Sequence, residues 1–164
     1  MIDETVEEIS EMQTHSSSVV AVKAAQALRD LTDREYPTVE DYLRSLDRNS
    51  SALRRSNPSH ASLHTTQHRI VNTVSDADPD DVATAKELTD EAIDDVIDSV
   101  ESSKDRAAAR AVSEIADDDV LLTHDFSSTV LAAIDDAIEA GHSFEVYVPE
   151  SRPRFLGRKM TRHL

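Results

Sequence analysis

From Ser18 onward, apolar residues return at steps of three: Val19, Val22, Ala25, Leu28 and Leu31. That spacing predicts a helical face, which Pro37 brings to an end. Thr38 with Asp41 reads as a capping box in which Asp replaces the usual Glu. It opens a helix whose inner side carries Val39, Tyr42, Leu43, Leu46 and Leu53. A further helix is expected from Pro58, with Asn57 as its N-cap and Leu63, Ile70, Val71 and Val74 inside. Asp78-Pro79-Asp80-Asp81 combines an N-cap Asp, a proline at the first helical position and acids at the positive end of the helix dipole. The helix it starts buries Val82, Ala85, Leu88, Ala92, Ile93, Val96 and Val100. Residues 3–115 therefore read as helices.

The period changes after Asp117-Asp118-Asp119. Val120-Leu121-Leu122-Thr123 is a short apolar run bounded by polar residues, which predicts a buried strand. Ser127 to Ala140 returns to helix, with Val130, Leu131, Ile134, Ala137 and Ile138 inward and Gly141 as C-cap. Phe144 to Val148 is a second strand. Pro149-Glu150-Ser151-Arg152-Pro153 is a loop, and a last helix is expected within Arg154 to Leu164. The order strand, helix, strand, helix predicts two parallel neighbouring strands. The fold class is α/β: a helical domain over 1–116, then over 117–164 the first βαβα part of a Rossmann-like parallel-sheet domain. Two parallel strands leave open edges and an apolar sheet face, at Leu121, Val146 and Val148, without cover. Further strands after Leu164, a partner chain or self-association are expected to supply it.

Charge changes this picture. The 164 residues carry 33 acids against 17 bases, a formal net charge of −16. The acids are 20 Asp and 13 Glu, whereas the bases are 13 Arg and only 4 Lys. A surface rich in short carboxylates and poor in Lys suits a cytosol of molar salt, where screening shrinks to roughly 3 Å. This implies a cytoplasmic protein of a salt-loving organism, with an ordinary acidic protein carrying a disordered acidic linker as the alternative. Between Val71 and Val120 there are 16 acids and 4 bases, yet the apolar stripe persists, as on the solvated face of a packed helix. Such a surface disfavours direct nucleic-acid binding. No run reaches bilayer length, which predicts no membrane partner. The absence of Cys excludes disulfides and thiolate chemistry. His60, His64 and His68 share a helix face, but without a carboxylate in register no metal site is expected. No cofactor is implied.

Candidate chemistry lies where each strand ends. Thr123-His124-Asp125-Phe126-Ser127-Ser128 and Glu150-Ser151-Arg152-Pro153, with Gly157 beyond, place polar residues at strand C-termini, where open α/β sheets bind ligands. Asp125 reads as an N-cap for the helix near Ser127, with a base or a ligand contact as alternatives. Ser127 and Ser128 are caps or pocket lining. Arg152 reaches Glu150, another acid, an anion or a subunit interface. Arg152, Arg154, Arg158, Lys159 and Arg162 form a basic tract of +5 in the last fourteen residues.

These two turns resemble those of the initiation-factor-2B α/β/δ family, whose superfamily includes ribose-1,5-bisphosphate and methylthioribose-1-phosphate isomerases. More weakly, Met12 to Leu28 is similar to the family's second helix, and Asn57-Pro58-Ser59-His60-Ala61-Ser62-Leu63 to its arginine-proline stretch. The resemblance implies a phosphorylated sugar or nucleotide as ligand and a homo-oligomer. It implies Thr123, His124, Asp125, Ser127, Ser128, Glu150, Ser151, Arg152, Pro153 and Gly157 as ligand-binding residues. It also implies a Cys at the position of Asp125 in the isomerases, an arginine-glycine pair at Thr14-His15 and an arginine at Asn57. These departures predict a regulatory binding protein without isomerase turnover. The alternatives are a ribose-1,5-bisphosphate isomerase and a non-catalytic helical interaction protein.

Overall fold

A computed structural model describes residues 2–11, 15–150 and 152–164. The chain divides into two compact units, Met1–Val100 and Glu101–Leu164. The division falls inside a long helix and not at the change of period near residue 116.

The first unit is helical: α1 (Ile2–Glu11), α2 (Ser17–Ala27), a 3₁₀ turn (Leu28–Leu31), α3 (Val39–Ser56), α4 (Ala61–Asp76) and the first part of α5 (Val82–Val112). α4 packs against α2 and α3, and α1 packs against both α2 and α3. Leu28, Leu31, Leu46, Leu53, Leu63, Ile70 and Ile93 are fully buried in the shared core.

The α2 face differs from the expected one. Val20, Ala21, Ala24 and Ala25 are buried, whereas Val19 is 49% exposed and Val22 is intermediate. Each step of three falls about 60° short of a full α-helical turn, so a strict three-step series drifts around the axis. The 3₁₀ turn, with its three-residue period, holds both Leu28 and Leu31 inside.

α3 starts as expected. The Thr38 hydroxyl accepts from the Asp41 N–H and lies 3.1 Å from Asp41 Oδ2, to which it donates. Asn57 is not the N-cap of α4. It closes α3, and its Nδ2 donates to the Ile9 carbonyl at 3.3 Å, while α4 starts three residues later from His60. The Asn57 carbonyl accepts from the His60 N–H, so Pro58 sits in a turn and opens no helix. The start of α5 is likewise shifted. Asp78 adopts φ 48°, and Asp81 is the residue whose carboxylate accepts from the Thr84 N–H at 2.8 Å. That N–H, helped by the Thr84 hydroxyl, holds the Asp81 carboxyl below its usual range.

The second unit contains the rest of α5, β1 (Val120–Leu122), α6 (Ser128–Glu139), β2 (Glu145–Tyr147) and α7 (Leu156–Thr161). The strands pair in parallel, with Val120 opposite Glu145, Leu121 opposite Val146 and Leu122 opposite Tyr147. The aspartate triplet pins the sheet's entry. The Asp117 carboxylate accepts from the Ser143 N–H, Asp118 donates to the Ser143 carbonyl, and the Asp119 carbonyl accepts from Glu145. α6 ends on Gly141 at φ 90°, with Gly141 donating to Ile138 and His142 to Ala137, the paired bonds of a Schellman motif.

Two expectations about burial fail here. β1 is not a buried strand: Val120 is 63% and Leu122 77% exposed. Leu121, Val146 and Val148 are the half-buried set, so the face left open is the opposite one, with Val120, Leu122 and Tyr147. On α6, Ala133, Ile134 and Ala137 are buried, but Val130 and Ile138 are exposed at the edge of the stripe. A single parallel pair cannot cover both of its faces. The architecture is nonetheless the expected one, a helical domain followed by part of a Rossmann-like α/β domain.

Candidate functional site

The two strand ends are adjacent because β1 and β2 pair in register. Thr123 is buried and extends the ladder, its N–H donating to the Tyr147 carbonyl at 3.0 Å. His124 turns outward, 91% exposed at the side chain, with Nε2 3.9 Å from Asp125 Oδ2. Asp125 takes φ 56°, a left-handed conformation that Asp tolerates better than most residues. It is not the N-cap of α6. Ser127 fills that role, its Oγ accepting from the Val130 N–H at 3.3 Å, and Ser128 is the first helical residue. Asp125 Oδ1 is buried with no hydrogen-bond partner among the described residues. The turn therefore holds a carboxylate oxygen available to a donor.

The second turn is built on a glycine. A β-carbon on Gly157 would lie 2.3 Å from the Pro149 carbonyl oxygen and 3.1 Å from Glu150 Cα, so backbone fills the space a side chain would need. This close approach seats α7 on the turn. Glu150 pairs with Arg158, whose Nε lies 2.8 Å from Oε2, and Arg152 stays exposed, as does Pro153. Ser151 lies outside the described residues.

α7 also reaches the first turn. Lys159 Nζ stands 4.1 Å from the Phe126 ring centroid, and the His163 ring lies 5.5 Å from the same ring. The structure thus brings together Glu150 and Gly157 through α7, and ties Phe126 to Lys159 and His163. The sequence places Lys159 in a basic tract and assigns no role to Phe126 or His163. Their signal, a cation two residues past a glycine, is too common to single out.

Elsewhere, Thr14 and Met12 lie outside the described residues, and His15 is exposed. Of the histidine series, His60 is buried before α4, His64 is half-buried and His68 meets Arg54. Among the described residues no group of three His, Asp or Glu side chains stands where it could hold a metal ion. Nor is any described helix long and apolar enough to cross a membrane.

The model of the Initiation factor 2 subunit family matches residues 13–164. Ribose 1,5-bisphosphate isomerases of Haloterrigena turkmenica and Haloferax volcanii are each 26% identical over 98% of this chain, which covers 48% and 49% of those proteins. The crystal structure of Pyrococcus horikoshii translation initiation factor eIF-2B superposes with a TM-score of 0.83 at 27% identity, covering 99% of this chain and 55% of that one. The chain thus spans about half the length of the relatives it matches.

Proposed function

Because this chain belongs to the Initiation factor 2 subunit family, we propose that it is a regulatory protein that binds a phosphorylated sugar or nucleotide and does not turn over an isomerase substrate. Asp125 carries this reading. It stands where the resemblance implies a catalytic thiol, and the sequence has no Cys. A carboxylate accepts a proton or a hydrogen bond, but it is no thiolate nucleophile and it repels phosphate oxygens. Its buried Oδ1 suits a ligand hydroxyl better than a ligand anion.

The proposed contacts are Thr123, His124, Asp125, Ser127 and Ser128 from the first turn, and Glu150, Ser151, Arg152, Pro153 and Gly157 from the second. The helical domain is assigned to 1–116 and the α/β part to 117–164, acting as a homo-oligomer in the cytoplasm. The haloarchaeal relatives support the reading of the Asp-rich, Lys-poor surface as an adaptation to salt.

The isomerase names of those same relatives favour the second reading, an aldose–ketose isomerase of ribose 1,5-bisphosphate. One experiment separates the two. The purified chain is incubated with ribose 1,5-bisphosphate, the carbonyl region is followed by carbon NMR, and binding is measured in parallel by calorimetry. Binding without conversion is expected, and Asp125→Cys should not create conversion. Turnover above background overturns the reading. Absence of both binding and turnover favours a helical interaction protein.

A further inference from the structure

The groove between the Val148–Glu150 segment and α7 has a volume of about 270 Å³ and is lined by Val148, Glu150, Gly157, Arg158, Thr161 and Arg162. That is several times the roughly 30 Å³ share of one water, so a phosphate group fits with carbon atoms attached. Two arginines and one carboxylate line it. In a chain of net charge −16, this is a local reversal of sign.

Arg158 is held on two sides. Its Nε donates to Glu150 Oε2 at 2.8 Å, and its guanidinium carbon lies 4.8 Å from the Phe155 ring centroid. Neither Nη group makes a hydrogen bond among the described residues. Arg162, one helical turn on, has no acidic partner among them either. α7 contains no acid. The Thr161 hydroxyl is occupied by the Gly157 carbonyl at 3.0 Å, so the side-chain donors left in the groove are those of the two arginines. A guanidinium presents paired N–H groups that match the oxygens of a phosphate.

We propose that Arg158 and Arg162 form an oxyanion site for the phosphate group of a small phosphorylated ligand, with Glu150 orienting Arg158 while the site is empty. This deepens the functional reading above, on which it rests for the ligand class. It gives the ligand a polarity: the phosphate belongs with the two arginines and not with the Asp125 carboxylate.

The test titrates inorganic phosphate into the full chain at constant ionic strength, kept with potassium chloride, and follows backbone amide shifts. Saturable shifts are expected at Val148, Gly157 and Thr161. Arg158→Gln and Arg162→Gln should each weaken the apparent affinity about tenfold, the scale of one charged hydrogen bond. Glu150→Gln keeps an acceptor for Arg158 Nε while removing the competing charge, so it should bind several-fold tighter. Arg69→Gln, an exposed arginine of α4, should change nothing. No saturable shift at α7, or equal weakening by Arg69→Gln, overturns the site. Phosphate saturating at α7 while ribose 1,5-bisphosphate and nucleotides fail to bind leaves the site standing and sinks the functional reading. Sugar-phosphate binding indifferent to both arginine variants does the reverse.

Discussion

In the helical unit Leu28, Leu31, Leu46, Leu53, Leu63 and Ile93 lose all contact with solvent, whereas in the α/β unit Val120, Leu122 and Tyr147 keep more than half of theirs. The difference follows from what each element demands. An amphipathic helix needs cover along one stripe, and α1 to α5 supply stripes to one another. A parallel sheet needs cover on two faces, which two strands and their short helices do not provide within the unit. The candidate ligand turns lie on this less covered unit. There, Gly157 against Pro149, Glu150 with Arg158 and Lys159 over Phe126 take over the fastening that a core gives elsewhere.

Large-to-small substitution is the strongest way to break this contrast. Leu46→Ala removes a fully buried side chain of α3 and should lower unfolding free energy by about 2–5 kcal/mol, read from urea denaturation. A loss below about 1 kcal/mol would mean that the helical core is not close-packed. Gly157→Ala comes next. Its β-carbon would strike the Pro149 carbonyl, and such overpacking typically costs about 1–3 kcal/mol. The loss should be local: amides of α7 should exchange faster with solvent while those of α3 and α4 keep their protection. Uniform acceleration across the chain would show that the two units unfold as one.

The sequence was most legible where a local rule has one physical solution. Gly141 could be placed because a left-handed residue after α6 favours glycine. The parallel pairing could be placed because two short apolar runs flank one capped helix. It was least legible where several residues compete for one role. Asp78, Asp80 and Asp81 all have capping side chains, and only the fold selects Asp81. Asn57 was misplaced because its amide finds a tertiary partner, the Ile9 carbonyl, that no local pattern reveals. Ser50, Gln67 and Thr89 sit fully buried among apolar neighbours, which a hydrophobic pattern cannot anticipate. At the candidate site the turn residues were readable from strand ends. The grip of α7 on both turns was not, because it depends on how the chain returns.

A smaller effect is expected from the polar link inside the helical core. The Tyr42 hydroxyl donates to Thr89 Oγ1 at 2.8 Å, and that hydroxyl donates in turn to the Ala85 carbonyl. Burial opposes tyrosinate and pushes the Tyr42 pKa up to about 12, with the Thr89 bond acting against the shift. The unfolded phenol ionises near pH 10, so between about 10 and 12 the unfolded chain has released a proton that the native chain retains. Stability from this group is therefore complete below about pH 10 and is lost as pH rises through about 12. Tyr42→Phe should cost about 1 kcal/mol at neutral pH and flatten the alkaline fall relative to the unsubstituted chain. An equally steep fall in both proteins would assign it to other groups.

The smallest effect on folding should come from the open sheet face, where the contrast between the units is sharpest. Leu122 is 77% exposed, so Leu122→Ser removes little buried area and should change unfolding free energy by less than about 0.5 kcal/mol. Association should respond differently. Val120, Leu122 and Tyr147 lie side by side on one face of a two-stranded sheet, a pattern a folded chain covers when it can. Burying one such side chain contributes about 1.5–3 kcal/mol, so a contact that uses Leu122 should weaken about tenfold or more when it becomes Ser. Sedimentation velocity across a concentration series, on both proteins in molar potassium chloride, reads this directly. A shift toward monomer in Leu122→Ser, with unfolding unchanged, would place the contact on this face. Identical sedimentation of the two proteins would show that self-association does not use it. A large loss of stability instead would mean that Leu122 is buried in solution, and the contrast between the two units would have to be given up.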